Sequence, residues 1–338
     1  MRPIISILLP VWNDAPTLGT ALNSIRRQTF KEWECVVVDD GSTDGSTEIA
    51  ANFARKDSRF RLLRRDHAGL IPTLNAGLDA CRSPLIARMD GDDWMHRDRL
   101  AAQKQALDRA PELQAIGCFV RIFPRDDLTD GRRAYERWLH SLSDPEAIWR
   151  ERFIECPVAH PTLMIRRERL MALRYRDRDW PEDYDLLLRL LREGPVVGNV
   201  PRRLLGWRDL PKRLSRTDPR YALSRFTQCR AWHLHRDFLR SAPRYVLWGH
   251  GRTGRALRKS LAELGHHPSL IIEVHPRRLG NTIHGAPVVP PDALRDAREK
   301  GMPDPIVVSV AGSNPRGEIR TTLTKMGFRE GFDFVCAA

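Results

Sequence analysis

Residues 33–46 read WECVVVDDGSTDGS, an apolar run that leads directly into acidic, hydroxyl-bearing and glycine residues. Trp33 to Val38 is rich in β-branched residues and predicts a buried strand. The same pattern recurs at residues 85–93, LIARMDGDD. Stretches with helical spacing alternate with these strands, which predicts a mostly parallel α/β sheet. Because ligands gather at the carboxyl ends of parallel strands, the acids after each strand mark the expected site.

Length, composition and charge bound the class of protein. The chain has 338 residues, 41% of them hydrophobic, and a formal net charge of +13. This length predicts two domains, and the apolar fraction is too high for a disordered chain. No apolar run reaches the roughly 18–20 residues that a membrane-spanning helix needs, and the beginning of the chain does not resemble a signal peptide. The basic charge favours an anionic partner without choosing among nucleic acid, nucleotide, phosphate and acidic membrane.

The cysteines indicate the compartment. The six cysteines lie far apart, and none forms a CxxC motif or a Cys/His pair. Their spacing matches neither a disulfide framework nor a zinc site and is typical of a reducing cytosol. We therefore expect a cytoplasmic protein, with peripheral contact to the inner face of the membrane as an option that its basic surface leaves open.

A change in composition marks the domain boundary. The stretch 202–216 is strongly basic, and a helical stretch follows it and ends at Ser241-Ala242-Pro243. A new strand, a glycine-rich turn and a helix begin at Arg244. We predict a first α/β domain over residues 1–215, a helical linker over 216–243 and a small Rossmann-like α/β domain over 244–338.

Each acidic motif has a functional and a structural interpretation. In the motif after the second strand, Asp39 could accept hydrogen bonds from a base or a ribose, or the motif could be a polar turn that caps the next helix. Asp90, Asp92 and Asp93 form a hard-oxygen cluster that suits Mg²⁺ or Mn²⁺, or a solvated acidic loop. Asp183, in the segment PEDYDLLLRLL, could be a general base or could cap the helix that follows.

Six segments together resemble one known family. They read ISILLPVWN, VVVDDGSTDGS, AGLIPTLNAGLDAC, IARMDGDDW, HPTLMIRRERL and PEDYDLLLRLL, and they occur in this order over roughly residues 3 to 215. The series closely resembles the family 2 glycosyltransferases, whose fold is the nucleotide-sugar-binding GT-A type. Each segment alone is a weak signal, whereas six in order are a strong one.

The resemblance implies a nucleotide-sugar donor and a divalent cation, Mn²⁺ or Mg²⁺. It implies that Asp92 holds the metal that bridges the diphosphate, and that Asp90 lies near the ribose or sugar. Asp40 and His160 fall within matching segments without a defined role, and the basic stretch 202–216 departs from the usual pattern, so no single arginine is assigned there. The residues that the resemblance places at the donor are Pro10, Val11, Asp39, Asp90, Asp92 and Asp93.

The resemblance also implies the chemistry. Asp183 matches the family's catalytic base, which would accept the proton of the attacking acceptor hydroxyl. One base without an evident covalent nucleophile implies a single displacement with inversion at the anomeric carbon. The expected acceptor is a glycan or a lipid-linked molecule, as in polysaccharide biosynthesis, and the donor is expected to be a UDP-sugar. The alternative is a nucleotide-binding regulatory or scaffolding protein with a degenerate transferase domain.

The carboxyl-terminal part contains a dinucleotide-binding pattern. Gly249, Gly251 and Gly254 form GxGxxG between a strand and a helix, and Glu273 follows 19 residues after Gly254. The spacing fits a Rossmann-like βαβ unit. A bound nucleotide and a docking or regulatory role without one both remain open. The hypothesis of a nicotinamide oxidoreductase is supported by this part of the chain alone. The hypothesis of specific nucleic-acid binding is supported only by the net charge, because no recognition motif accompanies it.

Overall fold

The computed structural model describes residues 2–211, 213–299, 301 and 304–338, and the chain forms two compact units. The first unit takes the residues up to Trp149 together with Pro157–Arg178 and Arg189–Thr217. The second takes Arg150–Cys156, Asp179–Leu188 and Asp218–Ala338. Two short internal segments therefore belong to the same unit as the carboxyl-terminal part of the chain, and one of them carries the candidate base.

Strands and helices alternate along the chain, and one strand covers the run from Trp33 to Val38 that the sequence predicts. The strands are β1 (Ile5–Val11), β2 (Trp33–Asp39), β3 (Phe60–Arg64), β4 (Leu85–Arg88), β5 (Trp94–Met95), β6 (Ala115–Phe123), β7 (Met164–Arg166), β8 (Val197–Arg208), β9 (Arg244–Trp248), β10 (His267–Ile272), β11 (Thr282–Ile283), β12 (Ala286–Val289), β13 (Ile306–Val308) and β14 (Phe334–Cys336).

The helices show the predicted alternation equally well in the amino-terminal part. They are α1 (Ala15–Arg26), α2 (Ser46–Lys56), α3 (Leu70–Ala80), α4 (Arg99–Arg109), α5 (Asp130–Ser141), α6 (Pro145–Glu151), α7 (Arg167–Leu173), α8 (Glu182–Leu191), α9 (Leu214–Thr217), α10 (Leu223–Arg236), α11 (Arg252–Ala262), α12 (Ala293–Glu299) and α13 (Ser313–Lys325).

The sheet of the first unit is mixed and mostly parallel, as expected. Within the described residues its strand order is β3-β2-β1-β4-β7-β6-β8-β5. The central strand β1 pairs in parallel with β2 on one side and with β4 on the other. β7 is antiparallel to both β4 and β6. The carboxyl ends of β1, β2 and β4 therefore meet at one edge of the sheet.

Burial on both faces explains the apolar composition of the first strands. Every residue of β1 and β2 is buried, which is the pattern of strands covered on both sides by helices. Helix α1 buries Leu18, Leu22 and Ile25, spaced as one face of a helix, within the core cluster that also contains residues of β1. The sheet edge is thus held by a closely packed core.

The sheet of the second unit has a Rossmann-like order. Among the described residues its strands run β11-β12-β10-β9-β13-β14. β9 pairs in parallel with β10 and with β13, and β10 pairs in parallel with β12. Only β11, which is antiparallel to β12, departs from the parallel arrangement in this part of the structure. The strand order changes direction between β9 and β13, directly beside the glycine-rich turn.

Two further features concern the whole chain. Within the described ranges no helix combines the length and the apolar character needed to cross a bilayer. All six cysteines are buried free thiols. Burial raises the pKa of the Cys81 thiol to about 12 and that of Cys118 to about 11, so both are protonated and unreactive at neutral pH.

Two glycines in helices of the first unit give a matched test of the packing. A Cβ added at Gly77 of α3 would overlap the side chains of Leu8 and Val38, whereas one at Gly19 of α1 would meet nothing. We expect Gly77→Ala to lower the free energy of unfolding by about 1–3 kcal/mol because the core is overpacked. We expect Gly19→Ala to raise it by about 0.5–1 kcal/mol through helix propensity. Urea unfolding measures both, and equal effects would contradict the close helix–sheet contact.

Candidate active site

Three carboxylates meet where β4 ends. Asp90, Asp92 and Asp93 each offer an oxygen, and these oxygens lie within 4.8 Å of one another. The motif follows directly on a strand whose residues are all buried, so the acids are held against the core of the first unit. Carboxylate oxygens in this arrangement are the donors that Mg²⁺ and Mn²⁺ prefer. The structure thus brings together all three acids that the sequence predicted here.

Asp93 is the most constrained member of this acid cluster. Its side chain is fully buried, and its Oδ1 accepts a hydrogen bond of 2.7 Å from the backbone N–H of Arg208. Its Oδ2 is buried and has no hydrogen-bond partner among the described residues. Burial, followed by the charges of Asp92 and Asp90, raises the pKa of Asp93 well above its ordinary value. An unpartnered carboxylate oxygen among other carboxylates is what a cation site provides, so these residues fit the implied metal.

Asp90 is held ionised by a residue that the sequence analysis did not single out. Burial tends to raise its pKa, but the charges of Arg88 and Arg213, together with the hydrogen bond from Arg88, outweigh this and lower the pKa overall. Arg88 lies at the end of β4, is buried, and places Nη2 2.5 Å from Asp90 Oδ1. An arginine inside an otherwise apolar strand was the available signal, because a buried cation requires an anionic or carbonyl partner.

Asp14 is a further acid near the cluster that the sequence analysis missed. It follows β1, which lies beside β4, and a Cβ added at Gly91 would overlap its carboxylate. Burial and then the charges of Asp92 and Asp90 raise the pKa of Asp14 to about 7. Burial and then the charge of Asp90 raise the pKa of Asp92 to about 6. The parallel pairing of β1 with β4 was the signal, since it brings the residues after both strands to one edge.

The motif after β2 is bound mainly to its own loops. Asp39 is buried and accepts hydrogen bonds from the backbone N–H of Ser42, at 3.1 Å, and from the hydroxyl of Thr47. These bonds close a polar turn before α2, whereas the N-cap residue of that helix, Gly45, makes no side-chain capping hydrogen bond. Pro10 and Val11 are buried at the carboxyl end of β1, beside Val38 and Asp39 of β2. A role of these residues in binding a base stays a prediction.

An aromatic pair lies at the same edge of the sheet. Asp40 is buried and accepts hydrogen bonds from the backbone N–H groups of Ala68 and Gly69, at 3.0 and 2.9 Å. His67 contacts the Asp40 carboxylate at 2.9 Å and stacks on Trp12 with ring centroids 4.5 Å apart. Trp12 is 50% exposed, so this stack presents a flat face to solvent next to β1. Asp40 therefore orders the loop that carries this face.

One arginine of the basic stretch acts on the acid cluster. The charge of Arg213 lowers the pKa values of Asp90, Asp92 and Asp93, each against the effect of burial. Its Nη1 donates to the carbonyl oxygen of Arg208 at 3.0 Å, and the Arg208 side chain donates to the Asp92 carbonyl oxygen at 2.8 Å. The sequence could not single out Arg213, because the stretch contains many other arginines.

Other polar residues of the same stretch and region have partners of their own. Arg216 pairs with Asp209 at 2.7 Å, while Lys212 lies outside the described residues. His160 is buried, and its Nε2 lies 2.9 Å from the hydroxyl of Tyr175. Burial and then the charge of Arg88 lower the pKa of His160 to about 3, so it is neutral at physiological pH.

The candidate base, Asp183, belongs to the second unit. It lies in the first turn of α8, is half-buried, and accepts a hydrogen bond of 2.7 Å from the backbone N–H of Tyr184. Burial and then the charges of Glu182 and Glu155 raise its pKa to about 8. Its position suits a helix cap and its pKa suits proton transfer, so both interpretations of the sequence are compatible with the local structure.

The glycine-rich turn has the predicted strand–turn–helix geometry. Gly249 has a left-handed φ of 94°, and a Cβ at Gly254 would overlap the Gly249 carbonyl. Gly251 precedes the first residue of α11. Glu273, at the position expected to bind a ribose, instead accepts a hydrogen bond of 2.9 Å from the backbone N–H of His250 and pairs with Arg278 at 2.8 Å. Nothing found for this part supports a bound nucleotide, which remains a prediction only.

The mostly parallel sheet with an acid cluster at its carboxyl edge is the arrangement expected for the GT-A fold, and solved structures confirm that fold. TarS of S. aureus in complex with UDP superposes with a TM-score of 0.55 at 16% identity, covering 78% of this chain and 70% of TarS. The mannosyltransferase PcManGT of Pyrobaculum calidifontis, in complex with GDP-Man and Mn²⁺, gives a TM-score of 0.50 at 19% identity, covering 98% and 82%.

Sequence comparison then gives the family. The family described as glycosyl transferase family 2 matches residues 6–173. EpsE of Bacillus subtilis, named as a glycosyltransferase, is 30% identical over 198 residues, covering 57% of this chain and 68% of EpsE. This chain belongs to glycosyltransferase family 2, as the resemblance implied. It spans only 28% and 34% of two other B. subtilis relatives, EpsH and EpsJ.

The raised pKa of Asp92 makes a prediction about stability. The folded chain holds a proton on Asp92 that the unfolded chain releases at lower pH, so the stability that this proton contributes is lost as pH rises from about 4 through about 6. We therefore expect Asp92→Asn to raise the free energy of unfolding more at pH 8 than at pH 5, by about 1–2 kcal/mol.

Thermal and urea unfolding at both pH values, with and without Mn²⁺, measure this difference. Mn²⁺ should stabilise the wild-type protein at pH 8 and should stabilise Asp92→Asn much less. Glu112→Gln, which removes an exposed acid outside the cluster, is the matched control and should show neither effect. An equal gain at both pH values would contradict the electrostatic account of Asp92.

Proposed function

We propose that this transferase moves a sugar from a nucleotide-sugar donor, a UDP-sugar, to a glycan or lipid-linked acceptor with inversion of the anomeric centre. The observation that carries the proposal is the cluster of Asp90, Asp92 and Asp93 with the unpartnered Oδ2 of Asp93. A transferase that releases a nucleoside diphosphate must neutralise the charge of the leaving group. The cluster supplies ligands for a divalent cation that can do this, and TarS and PcManGT were solved with a nucleotide or nucleotide sugar.

In this proposal Asp92 and Asp93 would hold Mn²⁺ or Mg²⁺, and the cation would supply positive charge to the diphosphate leaving group. Arg88 keeps Asp90 ionised and oriented towards the ribose or sugar, and Arg213 adds positive charge beside the same acids. The exposed face of Trp12 offers a stacking surface for the base, next to Pro10, Val11 and Asp39, which the family resemblance places there.

Asp183 is the proposed general base. The acceptor oxygen forms a bond to the anomeric carbon while the bond from that carbon to the diphosphate oxygen breaks, and the hydroxyl proton passes to the Asp183 carboxylate. A pKa of about 8 lets this carboxylate hold the proton far better than an ordinary aspartate does. A single displacement of this kind inverts the anomeric configuration.

We also propose that the reaction serves polysaccharide biosynthesis in the cytoplasm, with peripheral contact to the inner face of the membrane. Six buried thiols suit a reducing compartment, and a net charge of +13 suits an anionic lipid-linked acceptor or lipid surface. The competing proposal is a scaffold that binds nucleotide without turnover.

Calorimetric titration with UDP tests the donor site. We expect UDP to bind in the presence of Mn²⁺ and at least about tenfold more weakly in its absence, because a cation held by the carboxylates would offset their repulsion of the diphosphate. Asp92→Ala should lose the metal-dependent part, whereas Asp108→Ala, an exposed acid paired with Lys104, should keep it. GDP and dTDP titrated in parallel show which nucleobase the donor site prefers. A failure of all three nucleotides to bind would leave the scaffold as the better explanation.

Release of UDP from a panel of UDP-sugars tests the role of Asp183 as general base. Asp183→Asn should reduce kcat by about 100-fold or more while leaving UDP affinity within about twofold, because it removes the proton acceptor and no donor contact. In the wild-type protein kcat should rise with pH through about 8. Asp177→Asn, an exposed acid in the preceding loop, is the control. Full activity of Asp183→Asn would exclude Asp183 as the base.

A further inference from the structure

The residues on both sides of Asp183 are turned into the second unit, while Asp183 itself is half-buried. Glu182, Tyr184 and Asp185 are all buried, with exposures of 2%, 0% and 3%. Consecutive side chains in the first turn of a helix point in different directions, so fixing these three fixes the direction in which Asp183 points. The segment therefore depends on what its buried neighbours contact.

Each buried neighbour is bound by a side chain or carbonyl from elsewhere in the second unit. Tyr221, just before α10, donates a hydrogen bond of 2.6 Å from its hydroxyl to Glu182. His233 on α10 lies 3.0 Å from Asp185, measured from Nε2 to Oδ1. The hydroxyl of Tyr184 donates to the carbonyl oxygen of Arg152 at 2.8 Å. Two of these three contacts come from α10 and the turn before it.

Helix α10 is in turn bound to the end of the chain. The guanidinium of Arg230, on α10, donates to the carbonyl oxygens of Ala337 and Ile154, at 2.9 and 2.6 Å. Arg320 on α13 pairs with Glu151 and with Glu330. The segment 150–156, helix α10 and the carboxyl-terminal sheet thus share one network of buried charges and carbonyls in the second unit.

We propose that α10 and the turn before it act as a clamp that positions Asp183, with Tyr221 and His233 as its positioning residues. The carboxyl-terminal part of the chain then contributes to the reaction as the support of this clamp and does not need a nucleotide of its own. The proposal rests on the proposed function only for the role of Asp183, because the contacts themselves can be tested without turnover.

The clamp also has an electrostatic consequence. The charged or titratable groups that act on Asp183 are Glu182 and Glu155, and Tyr221 bonds Glu182 directly. The charge of Glu182 raises the pKa of Asp183, so the residue that the Tyr221 hydroxyl holds in place also affects the pH at which Asp183 can accept a proton.

Hydrogen-exchange mass spectrometry on the full-length protein tests the contacts directly. We expect His233→Ala and Tyr221→Phe each to speed exchange in residues 179–188, by roughly threefold to tenfold, because a buried hydrogen bond is lost. His233→Gln, whose amide nitrogen can replace the imidazole Nε2, should restore protection. The first control is His235→Ala, which changes another residue of α10 and loses the 2.8 Å contact of His235 with His266. The second is Tyr245→Phe, because the Tyr245 hydroxyl has no partner among the described residues.

Turnover of a UDP-sugar provides the second readout. The two clamp variants should lower kcat by about 10- to 100-fold with unchanged KM and unchanged UDP affinity, since only the base is displaced. A protein that shows no turnover at all contradicts the proposed function, and the exchange data then judge the clamp alone.

Two results would overturn the clamp. One is unchanged exchange in residues 179–188 of both variants. The other concerns Cys229, which joins Asp185 and His233 in a group whose ligand-type atoms lie within 4.8 Å of one another. If the purified protein holds one equivalent of zinc, and EDTA removes both the zinc and the protection of the segment, His233 is a metal ligand and not a positioning residue.

Discussion

The mutual repulsion of carboxylates gathered at one sheet edge is the constraint on which the first unit depends. Parallel pairing of β1 with β4 brings the residues after both strands to the same edge, so Asp14 joins Asp90, Asp92 and Asp93. Ionised together, these acids would destabilise the fold strongly in a buried setting. A buried arginine, Arg88, offsets part of this repulsion, and the pKa values of Asp14, Asp92 and Asp93 are raised. One carboxylate oxygen of Asp93 has no partner among the described residues and could bind a cation.

That compensation explains why the core of this unit contains arginines. Arg88 lies in a strand among apolar residues, yet it pairs with Asp90. Arg99 is fully buried and donates to the Arg88 carbonyl oxygen at 2.9 Å and to Gln103 at 3.0 Å. Its guanidinium thereby fixes the end of β4, from which the acid cluster begins. The same contacts consequently stabilise the core and fix the geometry of the site. Metal binding and folding should therefore be thermodynamically coupled.

The sequence predicted what depends on local pattern. The alternation of apolar strands with helical spacing gave the sheet, and the acids at the strand ends gave Asp90, Asp92 and Asp93, because both are encoded by neighbouring residues. It missed Arg88 because a single cation in an apolar strand has no period, and Asp14 because its loop resembles an ordinary helix start. Tyr221 and His233 lie about 40 to 50 residues from the acids that they contact, and only the tertiary structure shows such pairs.

The glycine-rich turn shows that a sequence motif can predict a local fold without predicting a ligand. GxGxxG predicted a strand, a tight turn and a helix correctly, because Gly249 adopts a left-handed φ and Gly254 must allow the Gly249 carbonyl to approach. These requirements come from packing and exist with or without a nucleotide. Glu273 shows the difference: its carboxylate binds the backbone of His250 and the side chain of Arg278 within the unit. The observed contacts of Glu273 thus lie within the unit and support the turn, and a nucleotide bound at this position stays a prediction.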